Sequence, residues 1–178
     1  MHDRAQFWSP VPDWSRVSLH AAGIDVAPVN AASIWLVSGD ARQLLARCGA
    51  REALGPRQIC GDDSYALHIA PDRVLFVANT QALDASTAGA PGCAITDIGD
   101  GIVIFEIGGE AAADLMAQGS EYPFDDTAVL PGESAMMQFA GFSLAVSRRV
   151  RGWRLHIERP WAAALWRWLQ AHVEQGAA

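Results

Sequence analysis

The chain repeats itself. Residues 34–49 and 104–119 align without a gap at an offset of 70 positions, with Ile34/Ile104, Gly39/Gly109, Ala41/Ala111, Leu45/Leu115 and Gly49/Gly119 identical. A repeat constrains architecture more than any local propensity does, because both copies must form the same unit and bury their apolar faces together. Each copy reads as a short apolar strand, a glycine turn and a two-turn helix. Asp40 or Glu110 is expected in the first turn of that helix, where a carboxylate meets the positive end of the helix dipole. Gly49 or Gly119 is expected to end it in the left-handed conformation.

Paired strands follow each unit. In the first copy Ser64–Ala70 and Val74–Ala78 flank Pro71-Asp72-Arg73, a turn with proline at its favoured early position. In the second, strands are expected over Ser134–Phe139, Phe142–Arg148 and Trp153–Glu158, with Gly141 and Gly152 marking turns. A helix from Pro160 to about Val173 closes this copy. Trp161, Leu165, Trp168, Leu169 and Val173 follow the 3.6-residue period of one buried face, with Trp166 turned away from it. The stretch Asp84–Cys93 is the linker between the halves. These features predict an α+β fold: one domain over 24–174, built of pseudo-repeats 24–85 and 93–174, behind an N-terminal arm over 1–20. Either half alone would be marginally stable.

Charge narrows the chemistry. All 13 basic residues are arginine, and without lysine there is no Schiff base, no pyridoxal-phosphate anchor and no phosphate-loop lysine. Residues 1–147 hold seven Arg against eighteen acids, whereas 148–178 hold six Arg against Glu158 and Glu174. A chain of net charge −7 repels nucleic acid. The cluster Arg148, Arg149, Arg151, Arg154 and Arg159 therefore reads as a local anion or partner contact, or as a solvated hairpin paired with nearby carboxylates. The aromatic arm is equally two-sided. Phe7, Trp8 and Trp14 lie among prolines with no period, and must pack on the chain's own domain or on another subunit.

No motif marks a catalytic centre. The five histidines show no i, i+4 pair, and Cys48, Cys60 and Cys93 are too widely spaced for a zinc site and are expected to be buried thiols. There is no G-x-S-x-G elbow or G-x-G-x-x-G loop. The acidic pairs Asp62-Asp63 and Asp125-Asp126 are expected to be solvated in loops. Neither a spanning run of ~18 apolar residues nor a secretory leader is read in the sequence, which points to a cytoplasmic protein.

Four stretches resemble a known family. The hairpin Ser64-Tyr-Ala-Leu-His-Ile-Ala-Pro-Asp-Arg-Val-Leu-Phe-Val-Ala78, the segments Ile107-Gly-Gly-Glu-Ala-Ala-Ala-Asp-Leu-Met and Leu130-Pro-Gly-Glu, and the ending Trp153-Arg-Leu-His-Ile-Glu-Arg-Pro-Trp-Ala-Ala-Ala-Leu-Trp-Arg-Trp-Leu169 are similar to the sarcosine oxidase gamma subunit family. Ala70 stands where that family has glycine, and Arg159-Pro160 where it has arginine-serine. The resemblance implies the folate-binding fold of the glycine-cleavage T-protein, a duplication with exchanged strands. It also implies a non-catalytic chain among alpha-, beta- and delta-type partners of an amine oxidase complex, with FAD, FMN, NAD and tetrahydrofolate on those partners and none on this chain. The interface candidates are Phe7, Trp8, Trp14, Arg148, Arg149, Arg151 and Arg154. A free-standing folate-binding or aminomethyltransferase-like protein is the alternative, and an interaction domain outside one-carbon metabolism a third.

Overall fold

Alternating apolar residues and glycine or proline turns build strands along most of the chain. The computed structural model describes residues 11–21, 23–41, 57–61, 64–78, 92–121, 129–150 and 152–175. In order they form β1 (Leu19–Ala21), β2 (Ile24–Pro28), β3 (Ser33–Gly39), β4 (Ile59–Cys60), β5 (Tyr65–Ala70), β6 (Arg73–Ala78) and β7 (Cys93–Asp97). There follow a 3-10 turn (Gly99–Gly101), β8 (Ile102–Gly108), helix α1 (Ala112–Gly119), β9 (Ser134–Phe139), β10 (Phe142–Arg149), β11 (Gly152–Glu158) and helix α2 (Arg159–Gln175). The helix expected in the first copy, the acidic pairs and Cys48 lie outside the described residues.

The repeat is visible in the sheets. One has the order β1-β2-β8-β11-β10-β9 and the other β4-β5-β6-β3-β7. Laid side by side, β3 matches β8, β5 and β6 match β10 and β11, and β4 matches β9. The remaining pair shows an exchange: β2 precedes β3 in sequence but pairs with β8, while β7 precedes β8 but pairs with β3. The six-stranded sheet therefore takes β2, with β1 at its edge, from the stretch before β3, and the five-stranded sheet takes β7 from the second half. The backbone bonds repeat as well, with Val29 N–H donating to Ile104 at 2.8 Å and Ile98 N–H to Ile34 at 2.9 Å.

Gly39 and Gly109 are identical across the copies for a physical reason. Both have positive φ, 98° and 97°. A Cβ on Gly39 would collide with the Gly92 carbonyl, and one on Gly109 with the Gly23 carbonyl. Those same carbonyls accept from Asp40 N–H at 3.0 Å and Ala111 N–H at 3.1 Å. Only glycine lets the strand end approach the exchanged strand so closely.

The sheets face each other through Ile34, Tyr65, Leu67, Leu75 and Val77 on one side and Ile104 and Ala145 on the other. The outer face of the six-stranded sheet carries the larger core, where Val103, Phe105, Ile107, Leu144, Val146, Leu155 and Ile157 meet both helices. Val37, Ala66, Val74 and Phe76 form a third cluster on the outer face of the other sheet.

Several local expectations are corrected. Helix α2 buries Ala162, Leu165, Trp166, Leu169 and Val173, while Trp161 is 53% exposed and Trp168 only partly covered. The helix is rotated from the expected face because small Ala162 permits close approach to the sheet, and Trp166 then stacks on Phe105 at 5.5 Å. Helix α1 begins at Ala112, so Glu110 precedes it and Asp114 is the acid of its first turn. Gly119 is not left-handed; it is glycine because any Cβ would overlap the Phe139 ring. Cys93 is half-buried on an edge strand rather than enclosed. The last two residues of the expected arm, Leu19 and His20, are already in β1.

Candidate functional site

At the seam between the sheets, the two copies differ by one polar pair. Ile34 and Ile104 are equivalent; Ile34 lies opposite Val77 and Ile104 opposite His156, so Val77 and His156 are twins. Val77 in turn pairs with Tyr65 and His156 with Ala145, making Tyr65 and Ala145 twins. A large residue thus faces a small one across the pseudo-symmetry. The Tyr65 side chain crosses the seam and its hydroxyl lies 2.7 Å from His156 Nε2.

The hydrogen positions follow from the partners. His156 Nδ1 is 3.1 Å from the Ala145 carbonyl, which only accepts, so Nδ1 carries the proton. Nε2 is then an acceptor, and the Tyr65 hydroxyl donates to it. Burial pushes the His156 pKa down to about 4, opposed by the Ala145 bond and reinforced by Arg154 and Arg149. Burial likewise pushes the Tyr65 hydroxyl up to about 12, with Arg154 and Arg149 opposing it. Both groups are neutral around pH 7 and satisfied by each other. With both imidazole nitrogens engaged and the side chain enclosed, this pair is a lock between the halves.

Arginines cover the open end of the lock. The Arg149 guanidinium sits 5.0 Å from the Tyr65 ring centre and the Arg154 guanidinium 5.2 Å from it. Arg154 Nε donates to Glu106 at 2.7 Å, on the neighbouring strand β8. Arg149 Nη1 donates to the Gly61 carbonyl at 3.4 Å, tying β10 to the other sheet. Arg148, on the opposite side of the same strand, lies 5.0 Å from the Trp153 ring and donates to the Val129 carbonyl at 3.2 Å. Arg148, Arg149 and Arg154 all line a pocket of about 420 Å³, with Glu106 the only acid among its described lining residues. A second, mainly apolar cavity of about 600 Å³ opens between the sheets beside Leu36, Leu75, Phe142, His156 and Trp161.

The interface candidates divide accordingly. Arg148, Arg149 and Arg154 are brought together at one pocket. Trp14 instead packs edge-on against Phe105 at 5.4 Å and Trp166 at 6.2 Å, so the chain's own core takes up its ring. Phe7, Trp8 and Arg151 lie outside the described residues. His156 reads from sequence as a strand histidine, hydrogen-bonded or solvent-facing rather than catalytic, and the structure has it in β11, buried and hydrogen-bonded; Tyr65 and Glu106 are not singled out by the sequence as site residues. Among the described residues no three metal-ligating side chains converge, and no helix is long and apolar enough to cross a membrane.

No protein-family model matches the chain, and no curated protein matches its sequence. Solved structures do match its fold. Heterotetrameric sarcosine oxidase from Corynebacterium sp. U-96 matches with a TM-score of 0.77 and 17% identity, over 90% of this chain and 88% of that one. Glycine cleavage system aminomethyltransferase T from Bartonella henselae matches with a TM-score of 0.61 and 16% identity, over 83% of this chain but 45% of that one. Two antiparallel sheets that exchange strands between copies, closed by a C-terminal helix, are thus a fold this chain shares with a chain of heterotetrameric sarcosine oxidase and with part of aminomethyltransferase T.

Proposed function

We propose that the chain is a non-catalytic, gamma-type subunit of a heteromeric oxidase acting on sarcosine or a related N-methyl amine, linked to tetrahydrofolate one-carbon metabolism in the cytoplasm. The observation that carries this reading is the reciprocal coverage: the likeness takes in nearly all of a sarcosine oxidase chain but under half of the aminomethyltransferase. The Tyr65–His156 pair supports it, because the central polar residues are spent on joining the halves. On this reading FAD, FMN, NAD and tetrahydrofolate belong to alpha-, beta- and delta-type partners. The docking surface is the β10–β11 hairpin, where Arg148, Arg149 and Arg154 accompany the 93% exposed Val150; Arg151, Phe7 and Trp8, outside the described residues, are the further candidates that the sequence offers.

A second reading has its own observation. The cavity between the sheets is large enough for a planar ligand, as a free-standing folate-binding or aminomethyltransferase-like protein requires. One experiment separates the two: affinity isolation of the tagged chain from its native cell, a visible spectrum of the eluate, and titration of the isolated chain with tetrahydrofolate. Co-eluting flavoprotein with no folate binding supports the subunit. Folate binding by a chain that elutes alone overturns it.

A further inference from the structure

We infer that the apolar cavity between the sheets is a binding site for a small zwitterion with a large apolar side chain, of the α-amino acid class. The site goes beyond the subunit reading, which assigns no ligand to this chain, and does not rest on it.

The duplication explains why the cavity exists. Leu36 pairs with Leu75 as Glu106 pairs with Arg154, each two residues along the strand from the equivalent Ile34 or Ile104, so Leu36 and Glu106 are twins and so are Leu75 and Arg154. Leu36 and Leu75 line this cavity, whereas Glu106 and Arg154 line the pocket behind the β10–β11 hairpin. The two spaces are therefore one gap seen at opposite ends of the pseudo-symmetry. At the hairpin end it holds the Arg154–Glu106 ion pair against the Tyr65 ring. At the other end the twin of Tyr65 is Ala145 and leucines replace the ion pair, which leaves about 600 Å³ of mainly apolar space. A volume of that size takes a small molecule, and apolar walls favour an apolar body over water.

The floor and the rim define the rest of the ligand. His156 is the buried polar residue of the lining, and both its nitrogens are engaged, by the Tyr65 hydroxyl and the Ala145 carbonyl. It offers the buried part of a ligand no free donor or acceptor, which again selects an apolar body. At the exposed rim stand Arg73 of β6 and Glu158 of β11, one charge of each sign from opposite sheets. No ion pair joins them, and neither has another side-chain partner among the described residues. A zwitterionic head gives each its counter-charge, whereas an anion or a cation alone satisfies one and is repelled by the other.

The test is displacement of the uncharged fluorophore N-phenyl-1-naphthylamine from the full-length chain by L-phenylalanine, 3-phenylpropionate, 2-phenylethylamine and tetrahydrofolate. The fluorophore is expected to saturate at one equivalent, and Leu36→Trp, which fills the cavity, to weaken it about tenfold or more. L-phenylalanine is expected to displace it at a concentration about tenfold or more below either singly charged analogue. Arg73→Gln and Glu158→Gln, both at exposed positions, are expected to raise that concentration about tenfold and to leave fluorophore binding unchanged, the loss of one charge-assisted contact each. Where Leu36→Trp lacks native circular dichroism, the two rim variants decide. The inference is overturned by the absence of saturable binding, by wild-type binding in a natively folded Leu36→Trp, by unchanged phenylalanine displacement in both rim variants, or by a singly charged analogue that displaces as well as phenylalanine. Stronger displacement by tetrahydrofolate overturns it in favour of the folate-binding reading.

Discussion

Replacing Tyr65 by Phe removes one oxygen atom from the seam and leaves the ring, its apolar contacts and both arginine stacks in place. What is lost is the donor to His156 Nε2, a buried acceptor in a residue only 4% exposed. Leaving a buried polar atom unsatisfied costs roughly 1–3 kcal/mol, beyond the ~1 kcal/mol net worth of a made hydrogen bond. Tyr65→Phe should therefore lower unfolding free energy by about 2 kcal/mol, measured by urea denaturation at pH 7.5. A companion His156→Leu change, which removes the orphaned acceptor, should recover part of that loss in the double variant. The cycle should show coupling of at least about 1 kcal/mol, since the residues touch. A Tyr65→Phe loss below about 0.5 kcal/mol, or additive effects in the double variant, would refute the claim that this pair locks the halves.

Other outcomes follow from the same structure. Stability should be highest between about pH 6.5 and 10: an unfolded histidine titrates near ~6.5 and folded His156 near about 4, so the unfolded chain binds the extra proton and stability falls as pH drops through that window, by roughly 3 kcal/mol in all. The raised Tyr65 value, about 12, has the mirror effect, with stability lost as pH climbs from ~10 to 12. Urea midpoints across pH check both, and a His156→Leu protein should have a flatter acid limb. Trp166→Ala should cost about 3–5 kcal/mol and the exposed Trp161→Ala under about 1 kcal/mol, which melting curves of the two variants compare directly. Gly119→Ala should cost about 1–3 kcal/mol by forcing the Phe139 ring aside, and a protein with unchanged Tm would contradict that packing.

The duplication was readable because its identities fall where geometry leaves no choice: Gly39 and Gly109 each abut a carbonyl of the exchanged strand. The hairpins of the second half were readable for a similar reason, since Gly141 and Gly152 bracket alternating apolar runs. The exchange itself was not legible residue by residue. Whether β2 pairs with β3 beside it or with β8 is a choice between distant partners, and local pattern is the same for both. The face of α2 was misread because large aromatics dominate a helical period, whereas the contact that orients this helix is the small Ala162. Gly119 was misread because a glycine after a helix serves as a left-handed cap or as a gap for a neighbour, and Phe139 lies twenty positions on. The site divides the same way. Arg148, Arg149 and Arg154 stand close together in sequence and were found by charge; Tyr65 and His156 stand 91 positions apart, and neither means anything without the other.

Native mass spectrometry of the complex isolated through a tagged copy of this chain is the most direct test of the subunit reading. The account predicts one copy of the chain in a stoichiometric assembly with larger, flavin-carrying subunits that oxidises an N-methyl amine. A chain recovered alone, or with partners that carry no flavin, would contradict it.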